Sequence, residues 1–440
     1  MLTVPKAFVL LMTPFAPLCT QRVWQQVPVL LVGALLAPGQ RPVSAALRGL
    51  GLAPAKLFQP SHRVWNRAVW SSLAGARLWW GLLVSSLAPA GPLSLGLEET
   101  LERRRGAQLQ APGLDREAGR SAHRHLVTAR GWRWLRLRLL VARPGAKRVG
   151  ALPCLPGLAP AERAHPARGQ RPKTLTDGAR PRCLVVRRWL PERPLVVVTA
   201  SSGAVMTRLW RVRQRPPPRC GLTRGRRDAA RYAPAPPGEP RPTGRARLHG
   251  RRLPTVAHAR RDADPGWTTV PVRRGSRADE RAGEVTSAPG GWEHAGRPPL
   301  PLRGVLGRAP QGTFEPQAWL CTELAMDPVQ SLAWLVRRWP LEGTWQAARA
   351  HVGMATQRQG HERAIARTPP PGGACARSSR GGPDDGPTSP RCRSDQPGGL
   401  THLGRPLPRP SPSCASTGGP RRMCTGHRRK PTWGKSPAHG

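Results

Sequence analysis

The sequence predicts an α/β fold: a mixed sheet flanked by helices, behind a helical N-terminal region. Three observations predict it. Apolar stretches with helical character fill residues 20–90. Alternating and β-branched runs follow between Pro92 and Val198. A further apolar helical segment begins near Leu332. The 440 residues are enough for two or three domains with a sizeable core. The expected divisions are a helical, candidate DNA-binding region at 1–90 and the first part of the core at 91–205. A basic insertion rich in Pro, Gly and Arg follows at 206–310. The last part of the core occupies 311–368, and a disordered tail 369–440.

In the first region, Val27 to Ala37 is an apolar run stopped by Pro38-Gly39, which suit a turn. Pro42-Val43-Ser44 opens a second short helix. Two short helices over a tight turn suit either a helix-turn-helix that reads DNA or a helical hairpin packed on the core. His62 to Trp80 predicts a third helix, with Arg63, Arg67 and Arg77 outward and Trp65 and Trp70 in the core. The apolar run Ala7 to Leu18 is broken by Pro14 and Pro17, and no small-x-small cleavage site follows it. Val27–Ala37 and Leu78–Leu87 are too short to span a bilayer. Buried helices are expected, and no membrane partner.

The strands come next. Pro92 to Leu97 alternates, and His125 to Ala129 and Trp134 to Ala142 predict two more strands. Over Trp134 to Ala142 leucine alternates with arginine, which predicts a half-buried strand with a basic outer face. A helix is expected within Ala159 to Arg188. Leu195-Val196-Val197-Val198 has the composition of a central buried strand. Residues 206–310 carry only weak strand signals, such as Trp267-Thr268-Thr269-Val270, and Leu300 to Leu306 predicts a strand. Beyond Thr368 the Pro, Gly, Ser and Arg content cannot bury enough apolar surface to offset chain entropy.

The formal net charge is +47, which points to a polyanionic partner, above all nucleic acid. Lysine occurs at only six positions, and Ile365, Asn66 and Tyr232 are each the sole residue of their type. That is the signature of GC-rich coding. It keeps a second reading open: a degenerate or misframed translation product without a stable fold. The nine cysteines are odd in number, irregularly spaced and lack any CxxC, which fits a reducing compartment. Cys414, Cys424 and His427 lack the fourth partner a zinc site needs.

Three stretches carry candidate chemistry. Gly96-Leu97-Glu98-Glu99-Thr100 closes a predicted strand and leads into Arg103, Arg104 and Arg105. Leu195 to Ala204 reads as a strand ending in Thr199-Ala200-Ser201-Ser202. Leu332 to Arg367 holds Glu342 behind Arg338-Trp339, with Arg349 beyond. Positions 335, 338, 342, 345 and 349 share a face at helical spacing, although Pro340 is awkward inside a helix. A fourth stretch, Gly244 to Pro254, is basic through Arg245, Arg247, Arg251 and Arg252.

Together these stretches, over roughly residues 4–368, resemble the DDE insertion-sequence transposases of the DDE superfamily endonuclease type. In that family the first stretch reads Gly-hydrophobic-Asp-Asp-Thr, the second ends in Asp-Ser-Ser, and the third carries Tyr-Arg-Glu-Lys. Here Leu335 takes the tyrosine position and Arg349 the lysine position. The resemblance implies an RNase H-like core. It also implies a two-magnesium site for DNA cleavage and strand transfer, with double-stranded insertion-sequence ends as partner. The catalytic positions map to Glu99, Ala200 and Glu342, with Glu99 and Glu342 as the surviving metal ligands. Arg103, Arg104, Arg245, Arg247, Arg251, Arg252, Arg338 and Arg349 map to DNA phosphate contacts. Homodimerisation and a bacterial cytoplasmic, nucleoid-associated location also follow from the resemblance. With alanine at position 200, the expected protein is a degenerate copy that binds DNA with impaired catalysis. The tail has no counterpart and looks like a change of reading frame near Thr368.

Overall fold

A computed structural model of the chain describes residues 5–37, 41–52, 58–104, 113–116, 121, 125–142, 149–159, 175–199, 219–225, 231–234, 249–255, 266–273, 280–292, 300–310, 317–338, 340–341, 343–344, 346 and 365. All of them fall in one compact unit, Met1–Pro383; a second unit, Asp384–Gly440, and with it the tail expected to be disordered, lies outside the described residues.

The N-terminal region is helical: α1 (Lys6–Met12), a 3-10 turn (Thr13–Leu18), α2 (Gln21–Trp24), α3 (Gln26–Leu36), α4 (Val43–Gly49), α5 (Phe58–Asn66) and α6 (Ser72–Leu87). Helices α3 and α4 cross closely because Gly33 has no side chain: a Cβ there would run into the Ala46 carbonyl. Leu30, Val43, Leu47 and Val64 join α3, α4 and α5 in a small core of their own. The single helix expected over His62–Trp80 is two helices. The Trp70 indole donates to the Val64 carbonyl at 3.0 Å, which folds the chain back after α5. Ser71 then caps α6 by accepting from the Ala74 N–H at 3.2 Å. Among the described residues no helix is long and apolar enough to cross a membrane.

A single mixed sheet of twelve strands follows. Its strands are β1 (Leu93–Arg103), β2 (Gly113–Arg116), β3 (Thr128–Ala142), β4 (Val149–Ala159), β5 (Leu195–Thr199), β6 (Arg219–Arg224), β7 (Arg231–Tyr232), β8 (Arg252–Leu253), β9 (Thr268–Arg273), β10 (Glu280–Trp292), β11 (Leu300–Arg308) and β12 (Gln317–Cys321). Their order is β2-β3-β1-β5-β6-β12-β11-β10-β7-β8, with β4 on β3 and β9 on β10. The two strands expected around 125–142 are one, β3, which runs through Gly131 while paired to both β1 and β2. Residues 268–308, whose strand signals are weak in sequence, form three consecutive antiparallel strands.

Helix α7 (Leu175–Trp189) connects the antiparallel β1, β3 and β4 to β5, and α8 (Pro328–Val336) follows the last strand. Strands β1 and β5 are parallel, and Leu93 to Leu97 match Leu195 to Thr199 residue for residue. Arg193 sets this register. Its guanidinium donates to the carbonyls of Ala88, Pro89 and Gly91 at 3.0, 2.9 and 2.8 Å, and the Leu93 N–H bonds the Pro194 carbonyl at 2.8 Å.

Strand β5 is buried on both faces, as its apolar run predicts. Leu195 and Val197 join Leu93, Leu95, Leu97, Leu135, Leu137 and Leu139 in the core under α6 and α7. Val196 and Val198 join Trp319, Trp334 and Leu335 in the core under α8. Asp327 caps α8 by accepting from the Gln330 N–H at 3.0 Å, and Pro328 sits at the first helical position, where its missing N–H costs nothing.

The expected basic outer face of Trp134–Ala142 is corrected. Arg136 and Arg138 are buried, at 3% and 2% exposure. Alternation separates the two faces of β3, but the arginine face is covered: Leu140, Ala151 and Leu341 form one apolar patch on it, and Trp132, Trp134 and Ile365 another.

Candidate functional site

The face of β1 opposite α6 and α7 carries Gly96, Glu98, Thr100 and Glu102, because strand side chains alternate. Their partners on β3 are Arg138, Arg136, Trp134 and Trp132. Leu341 packs down on this face; a Cβ on Gly96 would lie 2.7 Å from its Cδ2. Glycine at position 96 is thus what lets the segment after α8 approach the sheet.

Several charged groups on this face are bound to one another, while the buried Thr100 hydroxyl has no hydrogen-bond partner. The Arg138 guanidinium meets the Glu98 carboxylate at 3.2 Å and donates to the Leu341 carbonyl at 3.4 Å. Burial pushes the Arg138 guanidinium below the usual arginine value, and the Glu98 charge opposes that shift. Glu102 accepts from the Trp134 indole at 2.7 Å and forms an ion pair with Arg104. The Arg104 guanidinium also lies over the Trp132 ring, 5.3 Å from its centre.

Glu99 is on the other face, paired with Arg133 at 2.8 Å, and about a third of its side chain is exposed. Its register partner is Leu135, whose side chain reaches α7 at Gly178. The structure therefore brings Glu98, not Glu99, to the face on which Leu341 lies. Ala200, Glu342, Arg349, Arg245 and Arg247 lie outside the described residues.

The remaining mapped arginines differ. Arg103, Arg251 and Arg252 are exposed. Arg104 is engaged by Glu102, so its charge is largely matched within the protein. Arg338 does not continue a helix. Helix α8 ends at Val336, Arg337 and Arg338 form a turn, and helical backbone resumes at Pro340 and Leu341. Pro340 explains the break, since its ring and missing N–H are incompatible with a helix interior. The shared helical face expected for positions 335, 338, 342, 345 and 349 is therefore interrupted at the turn.

Among the described residues the two-magnesium site implied by the resemblance is not assembled; positions 200 and 342 lie outside them. Among the described residues no three His, Cys, Asp or Glu side chains converge. Glu98 and Glu99 face opposite ways, each held by an arginine, and position 200 offers only a methyl group. The motif reading passes over Glu98 and Arg138. The signal that finds them is the two-residue period of β1 combined with the glycine at 96, which marks the face a neighbour approaches.

No protein-family profile matches the chain, and no curated protein matches it. Among solved structures, a piggyBac transposase synaptic complex with hairpin DNA is similar at a TM-score of 0.30 and 10% identity, covering 84% of this chain. The chain spans 63% of the length of that transposase chain, and an overlap of this quality is too slight to assign a fold.

Proposed function

We propose that the chain is a transposase-like DNA-binding protein with an RNase H-like core. On this reading it descends from a metal-dependent enzyme that cut and joined insertion-sequence ends, and its chemistry is impaired. The observation that carries this reading is the pairing of β1 with β5. The resemblance sets the first acid just beyond Leu97 and the second just beyond Thr199, and Leu97 and Thr199 are register partners. The order of elements adds support: strands β1, β3 and β4, then α7, then a central β5 buried on both faces. The packing of Leu341 over Gly96 favours the same reading, because Leu341 directly precedes the third acid.

On this reading the first acid is better taken as Glu98 than as Glu99, since only Glu98 shares a face with Leu341. Alanine at position 200 removes the second ligand, and losing one forfeits several kcal/mol of transition-state stabilisation. What remains is attraction for duplex DNA, to which the exposed Arg103, Arg251 and Arg252 contribute.

The test is duplex binding by the full chain across salt concentrations. Affinity should fall about 1000-fold between roughly 50 and 200 mM salt if some six phosphates are bound. Replacing Arg103, Arg251 and Arg252 by alanine should reduce the salt slope by about one for each phosphate no longer neutralised. Salt-insensitive binding would sink the reading. The ancestral site is tested by nicking of DNA with magnesium: Ala200→Asp with Glu98→Asp should outperform Ala200→Asp with Glu99→Asp.

A further inference from the structure

Strands β6 and β12 lie side by side in the part of the sheet beneath α8. Between them and the turn that leads into α8, three sulfur atoms face one another. The Sγ atoms of Cys220 and Cys321 are 3.5 Å apart, and the Met326 Sδ lies 3.9 Å from the first and 3.8 Å from the second. Cys321 is fully buried and Cys220 nearly so, while Met326 is half-buried. None of these residues takes part in the site on β1, so the inference stands apart from the proposed DNA-binding role.

We propose that Cys220, Cys321 and Met326 form a trigonal binding site for a soft monovalent metal ion, with Cu(I) as the fitting ion. The centre of the sulfur triangle lies about 2.2 Å from each atom, close to the ~2.3 Å of a metal–thiolate bond. Two thiolates and a thioether are soft ligands, the kind that select Cu(I) over the hard cations. Zinc asks for four ligands in a tetrahedron, and no further Cys, His, Asp or Glu among the described residues completes one.

Charges of both signs lie near the sulfurs, the Arg303 guanidinium and the Glu323 carboxylate. Two thiolates around one Cu(I) leave a net charge of minus one. Arg303 is the register partner of Cys321, and its guanidinium is fixed beside the strand by bonds to the Leu324 carbonyl at 2.7 Å and the Ser287 hydroxyl at 2.8 Å. Binding is a ligand exchange: the bonds from Cu(I) to the ligands that deliver it and two S–H bonds break, three Cu–S bonds form, and the former ligands and two protons leave to solvent. No electron is transferred.

The experiment is an anaerobic titration of the reduced full-length chain with Cu(I) against a chromogenic Cu(I) chelator, followed by X-ray absorption of the loaded protein. One Cu(I) per chain held against the chelator, with three sulfur neighbours, is the expected result. Cys321→Ser should lower affinity by more than the ~10–100-fold that losing an outer partner of a metal site costs. Met326→Leu conserves core volume and so keeps the fold. It should still bind, with the sulfur count reduced from three to two. Undiminished affinity in the Cys220→Ser, Cys321→Ser double variant would overturn the proposal, since other thiols would then hold the metal. So would an unchanged sulfur count in Met326→Leu, an outcome that does not depend on how well the serine variants fold.

Discussion

Glu98 and Glu99 are adjacent in sequence, yet they occupy two different environments. Glu98 faces the side of the sheet covered by Leu341, where Arg138 is buried with it. Glu99 faces the side of α7 and meets Arg133 near solvent. The same pair of chemical groups, carboxylate and guanidinium, is therefore a buried constraint on one face and a surface contact on the other. In a strand, the choice between neighbouring acids is a choice of face. Whatever approaches that face decides what the acid can do.

The largest expected effect breaks the buried pair. Glu98→Ala leaves the Arg138 guanidinium without its carboxylate in a site 2% exposed, and should cost about 3–5 kcal/mol in urea unfolding. Double replacement of both partners by apolar residues of similar volume should recover most of that loss. A cost no greater than that of Glu99→Ala would mean the two faces are equivalent. An intermediate effect is expected at Gly96. A Cβ there would lie 2.7 Å from Leu341 Cδ2, and Gly96→Ala should cost about 1–3 kcal/mol by overpacking. Trimming Leu341 to alanine in the same chain should relieve part of it, read as a coupling energy in a double-mutant cycle. The smallest effect sharpens the contrast from the other side. Glu99→Ala should cost no more than about 1 kcal/mol, and its effect should shrink as salt is added.

The parts of the fold legible in the sequence are those where local pattern and final burial agree. The run Leu195–Val198 reads as a strand covered on both sides and is one. The run Val27–Ala37 reads as a helix ended by Pro38-Gly39, and α3 ends at Leu36. Strand β3 is half legible: its alternation separates leucines from arginines correctly, but nothing local tells that the arginine face is covered. The covering residues, Leu341 and Ile365, come some 200 positions later. Strands β9 to β11 are hard to see because Gly, Pro and Arg interrupt their patterns; pairing along the sheet stabilises what propensity does not. At the site, the motif marks the acidic stretch of β1 but does not tell which of its two neighbouring acids shares a face with Leu341.

The bond from Arg138 to the Leu341 carbonyl joins residues 203 positions apart. A ribosome must therefore deliver most of the chain before that guanidinium meets its second acceptor. Chains released early would expose the arginine face of β3 and the flank of β6 that awaits β12. Such distant closures slow the search for the native state, since loop entropy is spent before native pairing compensates. The molecule's most vulnerable interval is thus its own synthesis, when a half-built sheet offers unpaired strands to any neighbour.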